Sequence, residues 1–347
     1  MQPTTVFYIL ISVLALSFIV DRILGALNAK HFDDTIPDEL ADVYDPMAYK
    51  KSQDYKKFNN QFSKKTNTFS FALTLSFFFL DGFKYVDNFV REYTENPILI
   101  ALLFFGIIMI GSNILTTPFS YYRTFVIEEK FGFNKTTKKL FWFDKLKGGL
   151  ITALLGGGIL SLIIWFYQIT GSHFWVYAWI LVATFSLLMN LFYSKLIVPL
   201  FNKQTPLEEG ELKNSIEKYA KKVGFTIDNI YVIDGSKRST KANAYFSGFG
   251  AQKRIILFDT LIQDLDTDEI VAVLAHEVGH YQKKHIIFNI ITSILLTGFT
   301  LFLLSLFINI PIFSEALGVS EPSFHIGFIA FGILYTPISE ITGVMMN

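Results

Sequence analysis

His276-Glu277-Val278-Gly279-His280 sets two imidazoles four residues apart with a carboxylate beside the first. Residues four apart on an α-helix lie one above the other, so both rings can aim at one point. Neutral imidazoles bind Zn2+ without cancelling its charge, and an open coordination position then holds water. The metal lowers the pKa of that water from about 15.7 toward about 7, making hydroxide available at neutral pH. Glu277 stands where it can take the proton and later hand it to a leaving amine. The motif therefore reads as a site for one Zn2+ ion, with His276 and His280 as ligands and Glu277 as the catalytic base of amide hydrolysis. The bland alternative is a pair of core histidines. It is the weaker reading, because buried polar atoms on an apolar helix need partners.

The residues around the motif predict the helix it needs. Asp266 and Glu269 have capping-box spacing, and Ile270, Val271, Val273, Leu274 and Val278 recur at helical intervals. Upstream, Leu212, Ile216, Tyr219, Ala220 and Val223 give an amphipathic helix that Gly224 would cap. Residues 229–234 and 253–259 read as strands. The stretch 243–250 between them is aromatic and glycine-rich. It is open to two readings: a structural hairpin, or an edge that accepts a substrate peptide as an added strand.

Composition narrows the setting. The chain of 347 residues is 51% hydrophobic with 37 Phe and a mean hydropathy of +0.40, too apolar for an ordinary soluble domain. Formal net charge is zero, which gives no basic field for nucleic acid. The absence of cysteine excludes disulfides, thiolate metal sites and cysteine nucleophiles, leaving His, Glu and Asp as zinc ligands. Seven stretches, near 4–24, 67–83, 97–120, 149–170, 173–195, 286–310 and 324–347, approach the roughly 20 apolar residues that span a bilayer. The first reads as an uncleaved anchor, since no Lys or Arg precedes it. With seven alternating spans, all Lys and Arg except Lys84 and Arg91 fall on one side. The positive-inside rule makes that side cytoplasmic, and the zinc helix lies on it. Within the spans, Gly156-Gly157-Gly158 reads as a site of close helix packing. Residues 25–66, acidic and then lysine-rich, read as a solvated segment beside the membrane.

These stretches together resemble the type I CAAX prenyl endopeptidase family, membrane zinc metalloproteases with seven helices. The resemblance rests on 117–137 (TPFSYYRTFVIEEKFGFNKTT), 198–212 (VPLFNKQTPLEEGEL), 231–262 (YVIDGSKRSTKANAYFSGFGAQKRIILFDTLI) and the zinc helix itself. It implies that His276 and His280 are ligands, that Glu277 is the base and that Asn243 holds the substrate backbone. The fold it implies is an α-helical multi-pass membrane protein, with seven transmembrane helices forming a chamber and a small α+β zinc metalloprotease domain on the cytoplasmic side. The expected organisation is a membrane domain over 1–195, the metalloprotease domain over 196–285 and two further spans over 286–347. The implied membrane is the bacterial cytoplasmic or the endoplasmic reticulum membrane. The partners expected are the lipid bilayer and a peptide or protein substrate, either a prenylated CAAX-type C-terminus or a membrane protein under quality control.

The family's third ligand, a Glu in a Glu-x-x-x-Asp arrangement after the seventh span, has no counterpart within these residues. The sequence therefore reads as C-terminally truncated, with weak zinc binding and an impaired relative or membrane scaffold as the alternative function. His285 lies about 140° round the helix from His280 and points elsewhere. Glu340 is an ionisable residue in a span, a functional candidate that does not match the family's ligand position. His31, His173 and His325 read as surface or interfacial, and Glu128-Glu129 as a structural ion-pairing site. Asn113 and Asn190 would line a pathway if the chain were a transporter. Leu80-Asp81-Gly82 precedes the zinc motif, the wrong order for a site-2 type protease.

Overall fold

The structure is a computed structural model that describes residues 1–33, 35–38, 41–224, 229–248 and 253–346, with the backbone alone at 280, 281, 286, 345 and 346. In chain order the first helices are α1 (Pro3–Ala29), α2 (Pro46–Phe79), α3 (Gly82–Arg91), α4 (Pro97–Tyr122), α5 (Lys138–Ile151), α6 (Gly157–Thr170), α7 (Phe174–Leu196) and α8 (Val198–Phe201). Then come β1 (Gln204–Pro206), α9 (Glu211–Lys222), β2 (Ile230–Ile233), β3 (Ala244–Ser247) and β4 (Arg254–Phe258). The chain continues through α10 (Asp259–Asp264), α11 (Thr267–Gln282), α12 (His285–Phe307), α13 (Pro311–Ala316) and α14 (Phe324–Met346).

Several helices start on the chemistry that helix starts require. Asp45 accepts from the Ala48 amide at 2.8 Å just before Pro46, and Asn96 accepts from Ile98 and Leu99 just before Pro97. Each side chain takes up amides that the first turn leaves without a carbonyl, and proline loses nothing there.

Among the described residues five helical runs are long and apolar enough to cross a membrane, or six if α2 and α3 form one bent span. The seven separate stretches expected thus correspond to five or six runs. The stretches 149–170 and 173–195 belong to one 64-residue run, Lys138–Phe201, and 67–83 is cut where α2 and α3 meet at 63°. Asp81, at φ 54°, makes that bend, and its carbonyl accepts from Tyr85 as α3 begins. Leu80-Asp81-Gly82 is accordingly a helix junction. The reading of Gly156-Gly157-Gly158 as a packing site is corrected at two of its positions. A Cβ on Gly156 or Gly158 would meet nothing within 4 Å among the described residues.

By packing, the chain divides into two units. The first comprises Met1–Ile127, Leu160–Trp175 and Phe302–Asn347. Its core joins Val6 and Leu10 of α1, Phe78 of α2, Phe83 of α3, Phe104 of α4, Phe313 of α13 and Ile326 of α14. His325 is not interfacial as expected but buried at 1% exposure, with its Nε2 2.7 Å from Asp87 Oδ1. Arg91 closes the network, donating to Asp87 Oδ2 at 2.7 Å and to Glu321 at 2.6 Å. A buried carboxylate persists because these partners replace its water.

The second unit comprises Glu128–Ile159 and Val176–Leu301. Its sheet has the order β1-β2-β4-β3, with β2 parallel to β4 and the outer pairs antiparallel. Ile216 of α9, Ile230 of β2, Ile255 and Leu257 of β4, and Ile270 and Leu274 of α11 form one core. Strand β3 pairs with β4 as the hairpin reading expected and is the outer strand of the sheet, while residues 249 and 250 of that stretch lie outside the described residues. Strand β1 was not foreseen, being three residues long and ending on Pro206. Helix α11 passes into α12 through a break at Lys283-Lys284, where Lys284 adopts φ 57°. Trp179 of α7 donates to the Ile294 carbonyl of α12 at 2.8 Å.

Candidate active site

Helix α11 begins on the capping box foreseen for it. The Asp266 side chain accepts from the Glu269 amide at 2.9 Å, and Glu269 returns the bond to the Asp266 amide at 2.9 Å. From there Ile270, Leu274 and Val278 recur every fourth residue and are each at most 2% exposed. Burying each is worth roughly 1.5–3 kcal/mol, so this stripe fixes the rotation of the helix. At 100° per residue, positions 276 and 280 then lie about 200° and 240° from Leu274, opposite the core. His276 is exposed there and Glu277 is half-buried at the margin of the stripe. The His280 side chain lies outside the described residues, while its backbone continues the helix.

The core side of α11 rests on the outer strand. Phe246 of β3 packs with Val278 and Ala220, and with Ala244 it also joins the core around Ile270 and Leu274. Val278 follows Glu277 directly, so the motif and β3 are neighbours through this contact. Asn243, the residue before β3, is exposed, and its carbonyl accepts from the Phe258 amide at 3.0 Å. Its side-chain oxygen accepts from the Ala244 amide at 2.9 Å. On the opposite face of β3, Tyr245 packs with Val198, Ile233 and Ile256. Burial pushes its phenol above the ordinary tyrosine value, against a weaker opposing effect of its hydrogen bond with Ser194.

Residues that sequence reading passed over hold the approach to β3. The Arg238 guanidinium grips Asp144 of α5 through two bonds of 2.7 and 2.9 Å, and also donates to Asn202 and the Phe201 carbonyl. Lys241 pairs with Glu128 at 3.0 Å, the ion-pairing role read for that acidic pair. A lone aspartate among the lysines of 138–147 was the one local sign of such a contact.

Among the described residues no group of three His, Cys, Asp or Glu surrounds one point. Glu340 sits in α14 and accepts from the Ser17 hydroxyl. Asn113 and Asn190 are exposed, not buried. Each donates to the carbonyl four residues earlier on its own helix, at 3.0 and 3.5 Å.

Comparison with known proteins agrees with this architecture. Residues 26–203 match the family model described as CAAX prenyl protease N-terminal, five membrane helices, and residues 206–339 match Peptidase family M48. The chain is 37% identical over 321 residues to a CAAX prenyl protease 1 homolog of Dictyostelium discoideum, covering 90% of this chain and 75% of that protein. It is 38% identical over 332 residues to CAAX prenyl protease 1 of Saccharomyces cerevisiae, covering 87% and 73%. To the human CAAX prenyl protease 1 homolog it is 31% identical, covering 88% and 74%. The crystal structure of S. mikatae Ste24p superposes with a TM-score of 0.92 at 34% identity, covering 98% of this chain and 84% of that one. The protein is a multi-pass integral membrane protein that belongs to the CAAX prenyl protease 1 (Ste24) family, the membrane metallopeptidases of family M48.

Proposed function

We propose that this protein is a zinc metalloendopeptidase that cuts prenylated CAAX-type C-termini at the cytoplasmic face of its membrane. The observation that carries the reading is the rotation of α11. Its buried stripe of Ile270, Leu274 and Val278 turns positions 276 and 280 away from the core, while Phe246 seats the helix on β3. Two imidazole positions on one outward face, with a half-buried carboxylate beside them, are a donor set suited to zinc. His276 and His280 would hold the ion together with a third ligand. When bound, zinc supplies an acidified water and a Lewis acid at the scissile carbonyl.

The chain's own residues do the rest. Glu277 takes a proton from the attacking water and delivers it to the departing amine nitrogen. The outer edge of β3 offers backbone donors and acceptors to an extended peptide, and the exposed Asn243 amide holds the peptide backbone at its end. The CAAX assignment rests on the names of the relatives, which also supports the prenylated class over quality control. Seven crossings fit the helices. A 64-residue run would extend about 96 Å at 1.5 Å per residue, three times the hydrocarbon thickness. Gly171, at φ 56°, supplies the turn that splits it into two spans.

The test uses the purified protein in lipid vesicles with a farnesylated CAAX peptide and its unlipidated form. Glu277→Gln abolishes cleavage and retains zinc, whereas His276→Ala loses the metal and the activity together. Cleavage by Glu277→Gln at the normal rate would overturn the assignment, and equal cleavage of both peptides would overturn the prenylated substrate class.

A further inference from the structure

The segment from Gly235 to Asn243, between β2 and β3, makes one isolated bridge, Asn134 with Ser239, and no ladder. Scattered backbone bonds and side chains hold it instead. The Arg238 carbonyl accepts from the Lys135 amide and the Thr136 hydroxyl at 3.0 and 3.1 Å. Thr240 bonds through its amide to Phe133 and through its hydroxyl to Gly132, and the Lys241 carbonyl accepts from the Thr260 hydroxyl. The strongest of these ties is the Arg238 fork. A planar guanidinium meeting a carboxylate through two parallel bonds is charge-assisted and fixes orientation as well as distance. Arg238 Nη2, one arm of the fork, also donates to the Phe201 carbonyl, Nη1 donates to Asn202, and Asn202 in turn donates to Asp234 just after β2. Its anchor is not loop but helix. Asp144 sits on α5 among Trp142, Phe143 and Leu146, each more than half exposed, on a run apolar enough to cross a membrane.

We propose that Arg238 is a positioning residue for substrate: locked to Asp144, it sets where Asn243 and the outer edge of β3 stand relative to helix α5. Because a lipidated substrate is held in the bilayer by its own lipid, its peptide leaves the membrane at a fixed height. The edge that receives the peptide must stand at a matching height, and the fork is the strut that keeps it there. The inference rests on the reading that β3 receives the peptide. Lysine cannot replace arginine here, since a point charge makes neither the parallel pair nor the bonds to Asn202 and Phe201.

The experiment measures kcat and KM in vesicles for wild type, Arg238→Lys, Asp144→Asn and the double variant. It uses one farnesylated peptide long enough to lie along all of β3 and one cut back to the residues flanking the scissile bond. For the long peptide each single change raises KM about tenfold with kcat within about twofold, and the double variant is no worse than either single one. For the short peptide KM stays unchanged and zinc content matches wild type, while the thermal midpoint falls by the same small amount in each variant. Equal losses on both peptides, or a fall in kcat together with zinc content, would make the fork a purely structural tie and overturn the proposal. Should Arg238→Lys fold poorly, Asp144→Asn removes the same pair from the other side. An unchanged long-peptide KM in a protein that Glu277→Gln inactivates would sink the positioning role alone; activity in Glu277→Gln would sink the underlying reading.

Discussion

Single side chains here carry energies large enough to be read one at a time. Asp87 is 1% exposed and held by His325 and Arg91, so deleting a partner leaves a buried charge less well satisfied. His325→Ala removes one of these two partners and leaves the Arg91 pair, so it should cost about 1–3 kcal/mol, visible as a lowered thermal midpoint in detergent. Tyr245 gives a titration instead. Its phenol is held above 10.0 by burial, so the folded state keeps the proton longer than the unfolded chain. The stabilisation is complete below pH 10 and is lost as the pH rises through the folded value. Tyr245→Phe should flatten the alkaline limb of the stability curve and leave neutral pH untouched, as melting across pH 8 to 11 will report. The residues of the motif were legible from spacing alone, because four residues make one helical turn. The Arg238–Asp144 pair was not, since its partners lie 94 positions apart and neither sits in a periodic pattern.

At the scale of elements, α11 shows why local signals sufficed. Cap, stripe and motif all lie within one helix, and each predicts the same rotation. Asp266→Ala removes the side-chain acceptor for the Glu269 amide, leaves the backbone donor to Glu269 in place, and should cost about 1 kcal/mol of stability. Leu274→Ala, at 1% exposure, should cost about 2–5 kcal/mol by opening a cavity between α11 and the sheet. Urea unfolding of both variants checks the order of these two effects. The sheet was less legible. β2 and β4 announce themselves by β-branched runs, whereas β1 is fixed only by its register, Gln204 opposite Ile233, which no local pattern encodes. The outer strand was readable as a strand but not as an edge, because edge position is a property of the whole sheet.

For the whole molecule, hydropathy made the multi-pass character legible, whereas the seven separate stretches it suggested correspond to five or six helical runs. Gly171, Ser172 and His173 form a short helical turn between α6 and α7, so the stretches 149–170 and 173–195 join into a single apolar run. The cysteine-free background makes sidedness easy to measure. With the proposed orientation, in membranes sealed with the cytoplasmic face inward, Ser172→Cys should react with an impermeant maleimide, and Lys218→Cys should react only after permeabilisation. Reversed labelling would place the zinc helix on the other side. The break at Lys283-Lys284 has a kinetic corollary. Under the proposed function, a cleavage centre joined by two residues to a helix apolar enough to cross a bilayer favours lipid-anchored molecules gliding in the same sheet. Encounter then becomes a planar search, governed by how many substrates share each patch of surface. Diluting the vesicles in buffer should leave turnover as it was, while thinning the substrate with inert lipid should slow it in proportion.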